Sequence, residues 1–248
     1  MAENNEIKVK SLQKALEILN LFTEKPVLGE TEVSEYFGLY KSTVHNILST
    51  LKAMEYLEQD EETGKYRLGI QIFNLSKALG DTYSITKIAG PYMQELSNYT
   101  GERCYLAVPY RQEVLYLADS IELMRSILGE RAQMHCTGLG KAMLANMGER
   151  EISDYLEHHK LEAFTENSII DKKQFREDLL RTKQRGYALD DMEHEFGIKC
   201  IAMPVFDRTK NVYAAISISG MANHFTDANI AEWAMLLKKY IRKIESRL

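Results

Sequence analysis

Val44, Ile47, Leu48 and Leu51 recur at i, i+3, i+4 and i+7 just after Gly38. Only a helix can bury that set on one side, and glycine permits the sharp turn that leads into it. Upstream, Leu12, Leu16 and Leu19 share one helical face, with Ala15, Ile18 and Phe22 beside them. Ser11 is the expected N-cap of that first helix, and the Pro and Gly of "EKPVLG" (24–29) are its expected stop. A short second helix fits "ETEVSEYFG", where Val33, Tyr36 and Phe37 fall at i, i+3 and i+4. Downstream, "YLEQD" and "KYRLG" read as two short strands about the turn "EETG" (61–64). Three small helices and a hairpin in this order are the pattern of a winged helix-turn-helix.

The outer face of the third helix carries Ser42, Thr43, His45, Asn46, Ser49 and Thr50 instead of long charged residues. Short donors and acceptors suit base edges and phosphates, whereas Glu would be repelled by phosphate. Lys41, His45 and Lys52 on this helix, Lys65 and Arg67 in the wing, and Lys8, Lys10 and Lys14 at the start make a local positive set. The competing reading is a three-helix unit whose polar face is merely solvated. Charge gives no general help. Residues 1–80 hold 9 Lys+Arg and 12 Asp+Glu, a net of −3, and the remainder holds 22 and 24, a net of −2, which together make −5. Any binding of DNA must therefore use locally focused cations.

Hydrophobic residues make up 45% and charged residues 27%, the balance of a globular chain. No apolar run approaches the roughly 20 residues of a membrane span, and the start lacks the apolar segment of a signal peptide. The three cysteines, Cys104, Cys136 and Cys200, are widely spaced and form no CxxC, so a reducing cytoplasm is the expected compartment.

Leu68, Ile72, Leu75 and Leu79 form a further helical stripe closed by Gly80. It either pairs with a second subunit or packs on its own domain. From Ser84 the pattern turns to mixed α and β. A helix fits 85–99, interrupted at Gly90–Pro91. Strands fit "CYLAVPY", "EVLYLADS", "KCIAMPVFD" and "VYAAISISG". Helices fit 138–147, 149–158, 172–186 and a last stretch capped by Thr226 or Asp227. This is an α+β domain on an antiparallel sheet.

Three stretches could carry chemistry. In "HCTGLGKAML", GxGK resembles a phosphate loop, but Ala142 follows Lys141 and His135 occupies the required upstream glycine position, so nucleotide hydrolysis is not expected. The backbone N–H groups of Gly138 and Leu139 remain suited to a small anion, or the stretch is an ordinary helix start. Asp190 and Asp191 could be acid/base carboxylates or part of a solvated acidic loop; adjacent residues point apart, and no metal-ligand spacing accompanies them. Cys200 lies in an apolar strand, where a buried hydrophobe is the usual reading. Ser217 and Ser219 share one strand face, opposite Ile216 and Ile218, and either satisfy backbone groups or line a polar pocket.

"LYKSTVHNILSTL" with "KYRLG", then "HCTGLGKAMLA", "RGYALDDMEHEFGIKCIAMPVFD" and "AAISISG", together resemble the IclR family of bacterial transcriptional regulators over nearly the whole chain. The resemblance implies an N-terminal winged helix-turn-helix at 1–69, a dimerising linker helix at 70–83 and a C-terminal GAF/PAS-like antiparallel-sheet effector-binding domain at 84–248. It implies operator DNA and a small organic-acid effector as partners, a homodimer that forms tetramers as a dimer of dimers, and no cofactor, metal, catalytic residue or membrane. Carried over by motif, Lys41, Ser42, Thr43, His45, Asn46, Lys65 and Arg67 would meet DNA. Met124, Gly138, Leu139, Asp190, Ile198, Cys200, Ser217 and Ser219 would surround the ligand, with the N–H groups and serines on a carboxylate and Asp190 on a hydroxyl or amine. Tyr40 stands where the family often has Pro, Asn46 where Arg is frequent and Glu55 where Gly is frequent. Two rival readings are an enzyme of small acids using Cys200 or Asp190–Asp191, and a purely structural assembly module.

Overall fold

The computed structural model describes residues 7–82, 84–120 and 128–248. These residues divide into two compact units, Met1–Thr82 and Tyr83–Leu248. The first unit comprises α1 (Lys10–Leu21), α2 (Glu30–Phe37), α3 (Lys41–Ala53), the hairpin of β1 (Leu57–Gln59) and β2 (Tyr66–Leu68), and α4 (Ile70–Thr82). Its core joins Ile18 of α1 and Phe22 just after it, Val33 of α2, Val44 and Leu48 of α3, and Leu57 and Tyr66 of the hairpin. Ile47 and Leu51 pack at the edge of that core.

The start of α1 differs from expectation. Val9, not Ser11, is the N-cap: its carbonyl accepts the Gln13 N–H at 3.0 Å, so Ser11 lies inside the first turn. Leu12 and Leu16 are exposed, because the helix turns Ile18, Leu21 and Phe22 to the core. Gly38 ends α2 in the left-handed conformation (φ 63°), and the chain turns there into α3. Leu57 pairs with Leu68 and Gln59 with Tyr66 across the wing, and Asp60 Oδ1 accepts the N–H of Thr63 at its tip.

Glu55 also has positive φ (62°), although it carries a side chain. Its carbonyl accepts the N–H of Gln71 at 3.1 Å, and a Cβ on Gly69 would lie 2.3 Å from that oxygen. The turn between α3 and the wing is thus held where only glycine is free of strain. Glu55→Gly is expected to stabilise this unit by roughly 1 kcal/mol in urea titrations. A loss of stability would contradict the strain.

The second unit comprises α5 (Ser84–Thr100), β3 (Arg103–Tyr110), β4 (Glu113–Asp119), β5 (Arg131–Gln133), α6 (Gly138–Leu144), α7 (Glu149–His158), α8 (Lys172–Arg185), β6 (Ala188–Asp191), β7 (Ile198–Phe206), β8 (Val212–Met221) and α9 (Asp227–Glu245). Its six strands run in the order β5-β4-β3-β8-β7-β6, and all neighbours are antiparallel. Alternation sends Cys104, Leu106, Ile216 and Ile218 to one face, under Leu96 of α5 and Trp233 and Leu237 of α9. The other face meets Leu139 and Met143 of α6 and Phe175 and Leu179 of α8. Thr226 caps α9 by accepting the Asn229 N–H.

The expected interruption at Gly90–Pro91 is absent: α5 runs through Pro91. An interior proline removes one helical hydrogen bond, but the buried Ala89, Tyr92, Met93 and Leu96 fasten both sides of it to the sheet. Two strands were not expected. β5 has three residues, and β6 lies within the acidic run, with Asp190 buried and Asp191 half-buried on the opposite face. No helix among the described residues is long and apolar enough to cross a membrane.

Candidate functional site

In the first unit, Lys41, Ser42, Thr43, His45 and Asn46 are all exposed at the start of α3, opposite buried Val44 and Leu48. Tyr40, the N-cap, is 85% exposed beside them. The predicted cations differ in how they are held. His45 Nδ1 lies 2.8 Å from Glu30 Oε1, Lys65 Nζ lies 3.2 Å from Glu32, and Arg67 Nη2 lies 3.1 Å from Glu58. Lys41 has no carboxylate partner among the described residues. Three of the four basic side chains predicted to meet DNA therefore already stand beside carboxylates, and Lys41 at the start of α3 does not.

The second unit holds a cavity of about 450 Å³ between the sheet and the start of α6. Gly138, Leu139, Asp190, Ile198, Cys200, Ser217 and Ser219 all line it. Met124 lies outside the described residues. Register explains the convergence. Asp190 on β6 pairs with Cys200 on β7, Cys200 with Ser219 on β8, and Ser219 with Arg103 on β3. Four strands thus place a carboxyl, a thiol, a hydroxyl and a guanidinium in one row across the cavity wall. Ser217 sits one rung away, opposite Tyr105.

The glycines explain why α6 can press so close. A Cβ at Gly138 would lie 2.7 Å from Cys200 Sγ, and one at Gly140 would lie 2.3 Å from the backbone of Met134. Thr137 Oγ1 accepts the Gly140 N–H at 3.1 Å, and its carbonyl accepts that of Lys141. Among the described residues, the N–H groups of Gly138 and Leu139, at the open first turn, have no such acceptor.

Lys141 points away from the cavity. Its side chain is 1% exposed, bonded to Glu193 and 3.0 Å from Asp178. It ties the turn after β6 to α8 and has no phosphate-loop role. Burial alone would lower its pKa, but Glu193 and Asp178 together raise it, so the ammonium stays charged. That same turn fixes Asp190, whose Oδ1 accepts the Glu193 N–H at 2.8 Å.

Asp190 is 6% exposed, and burial pushes its carboxyl up to about 7. Burial also pushes the Cys200 thiol far above its ordinary range, so it is a neutral thiol and a poor nucleophile. Ser217 is fully buried, and apart from the nearby Cys200 thiol its Oγ has no hydrogen-bond partner among the described residues. Residue-by-residue reading missed Arg103, Tyr105 and Tyr116, which also line the cavity. The usable signal was the apolar alternation of Cys104, Leu106 and Val108, which sends 103 and 105 to the other face.

Residues 78–246 match the family model of the bacterial transcriptional regulator IclR C-terminal domain, and residues 11–61 match the IclR helix-turn-helix domain. The chain belongs to the IclR family. It has the family's plan, a helix-turn-helix DNA-binding domain followed by a C-terminal effector domain, and is a transcriptional regulator of that type. Among its relatives, the transcriptional regulator XynR of Escherichia coli is 33% identical, covering 93% of this chain and 94% of its own length. The regulator KdgR of the same organism is 32% identical over 97% and 93%. The Thermotoga maritima IclR crystal structure superposes with a TM-score of 0.86 at 28% identity, covering 96% of this chain and 98% of that one. An IclR homolog from Microbacterium hydrocarbonoxydans, crystallised with 4-hydroxybenzoate, shares the fold with a TM-score of 0.82 at 21% identity, covering 95% and 98%.

Proposed function

We propose that this IclR-family regulator binds operator DNA through the exposed start of α3 and that a small organic acid in the effector-domain cavity modulates this binding. The observation that carries the effector half is Ser217, a buried hydroxyl facing the cavity with no oxygen or nitrogen partner among the described residues. Such a group costs about 1–3 kcal/mol when unmet, and a ligand oxygen removes that cost. The acid's carboxylate takes the Gly138 and Leu139 N–H groups and the hydroxyls of Ser217 and Ser219. Asp190 faces a hydroxyl or amine at the other end, since an ionised Asp190 would repel a carboxylate. Ile198 is an apolar wall, and Cys200 packs below the ligand. Met124 remains a further expected contact. The raised Cys200 thiol favours sensing over turnover, so we read the domain as non-catalytic.

On DNA, Ser42, Thr43, His45 and Asn46 enter the major groove, Lys41 meets phosphate, and Lys65 and Arg67 follow on the wing after exchanging Glu32 and Glu58 for phosphate. Residues 1–69 form the DNA-binding domain, 70–83 the linker helix and 84–248 the effector domain. Ile70, Phe73 and Leu75 of α4 are about half exposed or more, which suits pairing of linkers between two subunits in the cytoplasm and, through further contacts, a dimer of dimers. Two heads would then reach half-sites about 34–36 Å apart or a multiple of that. Ligand binding would shift the population of head spacings competent for the operator.

Lys41→Ala is expected to weaken binding to operator and random DNA alike and to lower the salt slope by about 1. Asn46→Ala is expected to cost roughly 1–3 kcal/mol of discrimination and to leave random-DNA binding unchanged. Fluorescence anisotropy on both DNAs distinguishes them; equal effects on operator and random DNA in both variants would sink the assignment. For the cavity, a bound acid at 100 times its Kd should add about 2.7 kcal/mol of stability, readable as a thermal shift. Loss of that shift in Ser217→Ala locates the ligand there; an unchanged shift places it elsewhere.

A further inference from the structure

We propose that Glu30, the first residue of α2, is a positioning residue for DNA recognition: it fixes the ring of His45 so that Nε2 alone is presented to the base edges. This rests on the reading of α3 above and adds the residue that orients its histidine.

Glu30 Oε1 lies 2.8 Å from His45 Nδ1. An ionised carboxylate only accepts hydrogen bonds, so Nδ1 carries the proton and donates it. That fixes both the orientation of the ring and the nitrogen that is engaged. Nε2, across the ring, has no hydrogen-bond partner among the described residues. The histidine side chain is 59% exposed and the glutamate side chain 34%, so the ring stands outside and the carboxylate behind it.

Glu30 is itself held from the core side. The hydroxyl of Tyr66, a residue 2% exposed, donates to the same Oε1 at 3.4 Å. Burial raises the pKa of that phenol, and the neighbouring Glu30 charge raises it further, so it stays a donor. The backbone of Tyr66 exchanges two hydrogen bonds with Leu28, two residues before Glu30. The wing strand β2, the start of α2 and the outer face of α3 thus converge on one carboxylate. An exposed histidine left alone would sample several rotamers and both tautomers. Ordering it beforehand removes that loss of freedom from the cost of binding. A carboxylate beside the groove also repels phosphate. Glu30 therefore has two effects of opposite sign, weakening attachment to any DNA while sharpening the choice of sequence.

Fluorescence anisotropy on the full chain separates these effects, using an operator selected from genomic fragments and random DNA. The quantity read is the ratio of the random-DNA Kd to the operator Kd. His45→Ala should lower that ratio about fivefold, as for one lost base hydrogen bond. Glu30→Ala should lower it by most of the same factor, while random-DNA binding holds or tightens. Glu30→Gln keeps an acceptor for the Nδ1–H and should retain most of the ratio. Once His45 is alanine, Glu30→Ala should lower the ratio no further. Equal weakening on both DNAs in Glu30→Ala would mark a purely structural role, an unchanged ratio a bystander, and additive losses an independent contact; each overturns the proposal. A ratio unmoved by His45→Ala itself takes His45 out of the groove, and the inference then falls with that assignment and not on Glu30.

Discussion

Lys141→Met should destabilise the effector domain by about 3–5 kcal/mol. The ammonium is 1% exposed and sits between Glu193 and Asp178, whose side chains are 6% and 13% exposed. Methionine matches its length but leaves two carboxylates facing each other away from water. Trp233, the chain's one tryptophan, is buried in this domain, so its fluorescence in urea reports the right unit. The loss should shrink on acidification. Burial already raises the Glu193 pKa, and removing Lys141 takes away the group that opposes this rise. A folded pKa above the unfolded one favours the fold at low pH, so stability lost at pH 7 should partly return as pH falls towards 4. A loss under about 1 kcal/mol, or one independent of pH, would show that the triad does not bear on the fold.

The second large effect is the pH dependence contributed by Asp190. Its carboxyl titrates near 7 in the fold against an ordinary value of 3.8, chiefly because it is buried. Between about pH 4 and 7 the native state holds a proton that the unfolded chain has released. Its contribution to stability is therefore complete below about 4, falls as pH rises and is lost just above 7, by about 4 kcal/mol at most. Asp190→Asn keeps the shape without the titration, so urea midpoints of the ligand-free variant should be much flatter across that range. An unchanged slope would show that Asp190 is ionised throughout. The same measurement bears on recognition, because a carboxyl near neutrality can donate to a ligand oxygen or accept from a hydroxyl.

Much of this was legible from spacing. Val44 and Leu48 announced the core side of α3, and the same period exposed Lys41, Ser42, Thr43, His45 and Asn46 on the other. The alternation of Ser217 and Ser219 against Ile216 and Ile218 put both hydroxyls on the cavity face. What escaped depends on long-range contact. Asp190–Asp191 looks like a loop because aspartate is a poor strand former, and only pairing with Cys200 and Lys199 makes it β6. Arg103 joins the cavity through register with Ser219, more than a hundred residues away, which no local pattern encodes. Lys141 follows two glycines as a phosphate-binding lysine would; only the distant Glu193 and Asp178 reveal its structural work. Pro91 should have broken α5 on local grounds, and packing against the sheet overrode it.

The central claim is that an acid in the cavity changes affinity for DNA. The most direct test begins with genomic fragments selected on the purified chain to give an operator. Anisotropy then measures the Kd for that operator with and without an acid that raises the melting temperature. Coupling between the two sites should change the Kd by about 5–150-fold, and Ser217→Ala should abolish the change while leaving ligand-free DNA binding intact. An acid that stabilises the protein through Ser217 yet leaves the operator Kd unchanged would contradict the account, leaving a DNA-binding protein with a cavity that does not report to it.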